Sequence, residues 1–426
     1  MSRITRVLAV PAVGACYCED LTALQSRSIP LSDRYTARPV SDGFYAVHQV
    51  AEAVSVGLAL DDGRVAWGDC VAAVYSKKSD FDPIFRTEDG LASIQLAVAP
   101  TLQDRALTSF RELAAEIDVL TESVQITQKK GEKEQVAVAR PLHTAIRYGV
   151  SQAILQAISM VRGTTMAEVI AEEWNLPRPD APIPIHAQSI GERYHDADKM
   201  IVRHVASLPD TLLDNTPEQL VEDSRLLTNY TRWLSERIGQ LGGADYHPTI
   251  HLNVHGALGQ ICQNDLGRVL GELYALVQAA QPYPLRIECP VIMDNRQAQI
   301  EAIKTLCKYA RFRKMNVQLV ADEWANTLDD IIAFIEAGAA DMIRVKMPNL
   351  GSVHNSIEAV LVCKAGGVGA FLGGSCAETD LSARVSVHVA LATQPDILMA
   401  KPGIGVDEGI MIAQNEMNRT LAQIRN

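Results

Sequence analysis

Between residues 285 and 347 the chain repeats one pattern three times: a short β-branched or apolar run that ends in a charged residue and a turn. The runs are Leu-Arg-Ile-Glu288-Cys-Pro, Gln-Leu-Val-Ala-Asp322-Glu-Trp and Met-Ile-Arg344-Val-Lys346-Met-Pro. Segments of roughly 20 to 30 residues with helical periodicity separate them, which is the spacing of βαβ units on a parallel sheet. Followed along the chain, the same pattern marks eight strand candidates, at residues 185–189, 206–209, 250–254, 285–289, 317–321, 342–346, 370–373 and 397–400. Helical stretches at 218–241, 266–280, 298–313, 328–337 and 352–365 fall between them. Eight alternations over about 230 residues predict a (β/α)₈ barrel of the TIM type.

The first part of the chain reads differently. Residues 7–11, 51–60 and 64–69 are strand-like, and Asp61-Asp62-Gly63 between the last two is a hairpin signal. Helical patterns follow at 91–117 and 142–170, and the charged run 129–134 reads as a solvated loop. A Pro-rich stretch from 177 to 184 then marks a boundary. The expected organisation is α/β: an N-terminal α+β capping domain over residues 1–176 and a barrel with a C-terminal segment over residues 177–426.

Composition narrows the class. Hydrophobic residues make up 47% of 426, enough for a sizeable core. A mean hydropathy of +0.02 and the lack of an apolar run near 18 residues argue against a membrane span. The net charge of −12, with no basic cluster, disfavours nucleic acid or an anionic membrane as partner. The first ten residues carry Arg3 and Arg6 and only a short apolar run, and read as a first or edge strand rather than a secretion signal. The eight cysteines show no CxxC pair and no zinc spacing, as expected for reduced, mostly buried thiols of a cytoplasmic protein.

The chemistry concentrates at the predicted strand ends. A parallel barrel keeps its reactive groups at the carboxyl ends of its strands, where Glu288 and Asp322 fall. Either carboxylate alone reads equally well as a structural ion pair or a helix cap. Two at equivalent positions point to a hard divalent cation. Asn253 ends the preceding strand at the matching position, and His251 and His255 share its parity as core or pocket residues. Arg344 and Lys346 lie two apart and so share a strand face. Two cations facing a barrel interior need anionic partners, which metal-site carboxylates and an anionic substrate would supply. A lysine beside an arginine and a metal should titrate low and suit proton abstraction. Gly373-Gly374-Ser375-Cys376 after the seventh strand allows close backbone approach to a ligand, or is an ordinary turn. Asp407 and Glu408 read as carboxylates holding a tight loop after the eighth strand.

Taken together these segments resemble the methylaspartate ammonia-lyase family, a branch of the enolase superfamily, over nearly the whole length. The motifs that carry the resemblance are Gly68-Asp69-Cys70, Leu142-His-Thr-Ala-Ile-Arg-Tyr-Gly149, Ala187-Gln-Ser189 with Glu192-Arg-Tyr194, and Arg286-Ile-Glu288. They continue with Leu319-Val-Ala-Asp-Glu-Trp324, Gly373-Gly-Ser-Cys376 with Glu378-Thr379, and Lys401-Pro-Gly-Ile-Gly-Val-Asp-Glu-Gly409 through Asn415-Glu-Met-Asn-Arg419. The resemblance implies an α+β cap on a (β/α)₈ barrel and elimination of ammonia from 3-methylaspartate to give mesaconate, with Mg²⁺ and a monovalent cation such as K⁺. It places the catalytic base on Lys346, metal carboxylates on Glu288 and Asp322, and substrate contacts on Gln188, Ser375 and Cys376.

The departures are as informative. The family's first metal carboxylate is Asn253 here, its second-strand catalytic histidine is Asp210, and its sixth-strand substrate glutamine is Arg344. A pocket glutamine of the cap is Val74, and the seventh-strand threonine is Ser375. Asn253 lowers the formal ligand charge from −3 to −2, which Asp210 would restore if close enough. Asp210 could equally pair with Arg344, or act as the second acid/base opposite Lys346. Arg344 suits a bidentate grip on a substrate carboxylate.

The leading expectation is therefore a Mg²⁺-dependent carbon–nitrogen lyase. Lys346 would abstract the proton next to a carboxylate, and the metal on Glu288, Asp322 and Asn253 would stabilise the resulting dianion. The substrate would be 3-methylaspartate or a related amino diacid. The alternatives are an enolising epimerase, dehydratase or other lyase with a different carboxylate substrate, and a pseudoenzyme that binds a ligand through the same pocket. The resemblance also implies a homodimer.

Overall fold

The computed structural model of the chain describes residues 2–20, 23–24, 29–72, 82–130, 132–189, 192–211 and 225–425. Three strands, β1 (Ile4–Glu19), β2 (His48–Leu60) and β3 (Val65–Cys70), form an antiparallel sheet in that order. The strand-like residues 7–11 are thus the middle of a longer strand. The Asp61-Asp62-Gly63 turn joins β2 to β3, with Gly63 at φ +87° and the Leu60 N–H donating to the Arg64 carbonyl at 2.8 Å. Only a residue without Cβ takes that φ freely.

The apolar residues Ile146, Val150, Ile154 and Ile158 recur at helical spacing along the helix Thr144–Arg162 and are buried. This helix lies on β3 at very close range. A Cβ on Gly68 would come within 2.1 Å of the Gly149 carbonyl, and one on Gly149 within 2.5 Å of the Cys70 sulfur. The two glycines seat strand and helix in each other, which explains their place in two of the motifs above. The continuous helix expected over 142–170 is two helices: Gly163, at φ +64°, ends the first, and a capping box between Thr165 and Glu168 opens the second, Met166–Glu173. The helix expected over 91–117 is likewise divided. It runs from Thr87 through a π turn to Leu102, and a separate helix, Phe110–Asp118, starts on the Ser109 cap.

The charged run 129–134 is not a loop. It forms the end of a two-stranded antiparallel hairpin, β4 (Thr121–Lys130) with β5 (Glu132–Pro141), in register from Thr121↔Pro141 to Lys130↔Glu132. Its polar sequence carries none of the apolar alternation by which a half-buried strand is recognised.

Eight parallel strands then close a barrel: β6 (Ile185–His186), β7 (Ser207–Thr211), β8 (Thr249–Asn253), β9 (Leu285–Glu288), β10 (Val317–Ala321), β11 (Met342–Lys346), β12 (Gly369–Gly373) and β13 (Ile397–Met399). All eight fall on the expected segments, so the chain has the predicted TIM-type barrel with an N-terminal α+β cap. Helices alternate with them, and the C-terminal helix Val406–Arg425 follows β13. Of the helix expected over 218–241, Arg225–Leu241 is observed, and the remainder lies outside the described residues. Val320, Met342, Phe371, Ile397 and Met399 form one cluster within the barrel. No helix among the described residues is long and apolar enough to cross a membrane.

Cap and barrel meet at the loop after β12. There the Tyr148 hydroxyl donates to Glu378 Oε1 at 2.7 Å, and Lys401 Nζ stands 3.0 Å from Glu378 Oε2. The Ser375 hydroxyl donates to the Ala72 carbonyl at 2.9 Å, and the Ala15 N–H to the Ala377 carbonyl at 3.3 Å.

Candidate active site

Strand register brings the charged residues together. Asn253 pairs with Glu288 across β8 and β9, Glu288 with Val320 of β10, and Lys346 with Gly373 across β11 and β12. Asp322 follows β10 directly, and Asp210 lies on β7 opposite Leu252 of β8. Asp210, Asn253, Glu288, Asp322 and Arg344 are all buried.

Glu288 is the centre of the cluster. Its Oε1 accepts from Arg344 Nη1 at 2.6 Å and from Asn253 Nδ2 at 2.7 Å, while Oε2 is 2.9 Å from His251 Nε2. Burial pushes the Glu288 carboxyl up to about 8, against the opposing pull of Arg344 and with added repulsion from Asp210 and Asp322. The Asn253 side-chain oxygen accepts from the His255 N–H at 3.1 Å. Asn253 thus turns its N–H₂ rather than its oxygen toward Glu288.

Asp210 has φ +69° and both of its carboxylate oxygens are buried with no hydrogen-bond donor among the described residues. His186 Nε2 is 3.7 Å and Arg344 Nη1 3.9 Å from Asp210 Oδ2. Burial would raise this carboxyl, but His186 and Arg344 outweigh it and hold it well below the usual carboxylate range. His186 is driven by burial down to about 4 and His251 to about 3, so both are neutral at pH 7. Arg344 therefore takes both expected partners: it pairs directly with Glu288 and stands near Asp210.

Lys346 Nζ lies 2.9 Å from Asp322 Oδ1. Burial alone would lower the ammonium, yet the carboxylates of Asp322 and Glu323 outweigh it and hold it above the ordinary lysine value. The lowering expected beside Arg344 and a divalent cation is opposed by Asp322, which faces Lys346 directly.

Three carboxylates, Asp210, Glu288 and Asp322, thus face two cations, Arg344 and Lys346, in a buried space. Burial keeps the Glu288 carboxyl largely protonated near neutrality, and a further positive group beside it would let it ionise. Asp210, His251 and Glu288 each offer a ligand atom, all within 4.8 Å of one another. This trio differs from the set Asn253, Glu288 and Asp322 expected from sequence, sharing only Glu288.

Gln188 is buried just after β6, and its side-chain oxygen has no hydrogen-bond donor among the described residues. Ser375 turns its hydroxyl to the cap, and its N–H donates to Glu378 Oε2 at 3.0 Å. Cys376 is half-buried, and Val74 lies outside the described residues. Sequence reading passed over His186 and Phe371, which pack with His251 inside the barrel at ring distances of 4.6 to 5.3 Å. Their signal was the inward parity of β6 and β12. It also passed over the buried Tyr148–Glu378–Lys401 group. Asp407 pairs with Arg203 at 2.7 Å and with Lys199 at 3.6 Å, so it ties the start of the last helix to Arg193–Val202 rather than closing its own loop.

Comparison with known proteins agrees with this geometry. Residues 2–175 match the family model for the methylaspartate ammonia-lyase N-terminus, and residues 178–426 that for the C-terminus. Methylaspartate ammonia-lyase 2 of Carboxydothermus hydrogenoformans is 41% identical over 99% of both chains. The structure of Citrobacter amalonaticus methylaspartate ammonia lyase containing (2S,3S)-3-methylaspartic acid superposes with a TM-score of 0.90 at 38% identity, over all of both chains. The Mg complex of β-methylaspartase from Clostridium tetanomorphum gives 0.87 at 39% identity, over 99% of both chains. With two family models that together span nearly every residue and relatives aligned end to end, the chain belongs to the methylaspartate ammonia-lyase family.

Proposed function

We propose that this protein is a Mg²⁺-dependent ammonia-lyase that converts 3-methylaspartate to mesaconate. The observation that carries the reading is Lys346 at the end of β11, 2.9 Å from the carboxylate of Asp322 that follows the neighbouring strand β10, in a chain similar to methylaspartate ammonia-lyases over its full length. The buried excess of carboxylate oxygens fits a hard divalent cation. Glu288 and Asp322 would hold it, with Asn253 contributing its oxygen after an amide turn and Asp210 supplying further negative charge. Mg²⁺ in that place offsets the charge that gathers on the substrate carboxylate as its neighbouring carbon loses a proton.

Lys346 takes the proton from the carbon next to that carboxylate. The C–H electron pair becomes the new double bond, the C–N bond breaks, and ammonia leaves with its electrons. Lys346 must be neutral to do this, so its pairing with Asp322 has to loosen when substrate and metal are in place. Asp210 stays ionised between His186 and Arg344, which suits it, as the second group opposite Lys346, to accept a hydrogen bond from the substrate ammonium, which keeps its three protons and leaves as ammonia. Gln188 offers a free amide oxygen to the same end of the substrate, Arg344 faces a carboxylate, and Ser375 and Cys376 complete the pocket.

A second reading keeps the frame and changes the substrate to another amino diacid or carboxylate. The pairing of Arg344 with Glu288 favours it, because a cation now stands where the family has a neutral amide. Purified protein with (2S,3S)-3-methylaspartate and Mg²⁺, followed by conjugated-alkene absorbance and ammonia release, separates the two. Equal formation of alkene and ammonia, lost on chelation, supports the first reading. No turnover with Mg²⁺ binding confirmed by calorimetry overturns it and favours the second.

The remaining expectations stand on the same footing. We infer a division into residues 1–176 and 177–426, supported by the Pro-rich stretch between them. A cytoplasmic site is supported by eight free thiols, and a homodimer and a monovalent cation by family resemblance.

A further inference from the structure

Two of the eight free thiols differ from the rest. Cys16 and Cys376 are partly exposed, whereas the other six are buried. They lie 360 positions apart in sequence, yet they meet at the seam between cap and barrel. Cys16 is on β1, and Cys376 is in the loop after β12. A Cβ built on Gly403 would be 3.1 Å from the Cys16 Cβ and 2.8 Å from the Cys376 carbonyl carbon, so both cysteines flank one glycine. The hydrogen bond from Ala15 to Ala377 fixes the two backbones beside each other. The Cys376 thiol acts on the Cys16 sulfur.

We propose that Cys16 is a site of peroxide modification whose resolving partner is Cys376, and that the disulfide they form lowers turnover by tying the substrate loop to the cap. The inference rests on the proposed function only for its activity readout. The chemistry balances with hydrogen peroxide as oxidant. The Cys16 thiolate attacks one peroxide oxygen, the O–O bond breaks, and water leaves as Cys16 becomes a sulfenic acid. The Cys376 sulfur then attacks the Cys16 sulfur, the S–O bond breaks, and a second water leaves. Two thiols are oxidised by two electrons and one peroxide is reduced.

The local chemistry supports this order. Hydrogen bonding from Cys376 draws Cys16 down to about 7 in spite of its partial burial, so near neutrality much of it is thiolate, the attacking form. Cys376, the donor, is held well above the ordinary thiol value by that bond and by burial. It therefore waits as the thiol until Cys16 has reacted. Cys376 follows Ser375 in the loop that the family uses for substrate, and its sulfur feels the charges of Arg344 and Asp210.

The test treats the full chain with hydrogen peroxide and maps peptides without reduction. A peptide linking Cys16 to Cys376, reversed by dithiothreitol, is the expected product. Methylaspartate turnover should fall with its appearance and return with the reductant. Cys16→Ser should keep its basal turnover, form no linked peptide and resist the same dose. Cys376→Ala should slow iodoacetamide labelling of Cys16 about fivefold, because the thiolate loses its donor. Absence of the linked peptide in the native chain, or equal peroxide sensitivity in Cys16→Ser, overturns the proposal. If the enzyme turns over a different substrate, the linked peptide and the labelling rate still decide it.

Discussion

Arg344 Nη1 stands 2.6 Å from Glu288 Oε1, so the cation at the position where the resemblance leads one to expect a glutamine rests on a carboxylate that it assigns to the metal. Asn253 also faces Glu288, at 2.7 Å, with a donor rather than a charge. The two departures are coupled: both settle Glu288 from within the protein.

Arg344→Gln should release that carboxylate for a cation while keeping an amide donor at the same place. Mg²⁺ affinity measured by calorimetry should rise about tenfold, the effect of roughly one pKa unit of charge interaction. If Arg344 also grips a substrate carboxylate, KM should rise more than kcat changes. Unaltered metal affinity and unaltered KM together would remove Arg344 from the site.

Lys346→Ala removes the proposed base and leaves Asp322 without its 2.9 Å partner. Turnover should fall by at least about 10²-fold, the lower end for a general base, while circular dichroism shows an intact fold. Retained activity in a folded variant would refute the assignment.

Asn253→Asp restores a third carboxylate directly opposite Glu288. In chelator the like charges should destabilise the protein by about 1–3 kcal/mol, and Mg²⁺ should more than recover the loss. The reading is the melting temperature with and without Mg²⁺. A shift indifferent to the metal would show that position 253 does not face it.

Glu416 gives a pH prediction remote from the site. Burial would raise its carboxyl, but His388, Arg419 and Arg384 outweigh it and hold it at about 2. A depressed carboxylate stabilises the fold above its ordinary value near 4.5, and that contribution fades as pH falls toward 2. Glu416→Gln should therefore cost about 1–3 kcal/mol at pH 7 in urea unfolding, and the gap from the native chain should narrow below about pH 4.5. A constant gap from pH 7 to pH 3 would contradict it.

The barrel was legible because most of its strands are short apolar runs at regular spacing; β7, Ser-Leu-Pro-Asp-Thr, is the exception and shows in the sequence only by its place between helical stretches. Glu288, Asp322 and Lys346 were legible because each ends such a run. The β4–β5 hairpin was not, since Val124, Ile126, Val136 and Val138 alternate only briefly and the ends that meet at the turn, Lys129–Lys130 and Glu132–Glu134, are charged. The helix breaks were hidden for a different reason: Gly163 ends a helix through a left-handed φ that a regular apolar period does not reveal. The partners within the site were beyond reach of spacing. His186 meets His251, and Arg344 chooses Glu288 over Asp210, through strand order and side-chain reach. Cys376 meets Cys16 from the other end of the chain, a juxtaposition that no local motif announces.

The contact of Tyr148 with Glu378 has an evolutionary corollary. A helix of the cap supplies the hydroxyl that completes the solvation of a buried barrel carboxylate, whose other oxygen meets Lys401. Neither half presents a finished surface to the other's replacement. The cap is therefore not an interchangeable part: a chimera with a relative's cap leaves Glu378 Oε1 without its donor unless the tyrosine comes with it, and the two halves are bound to drift together.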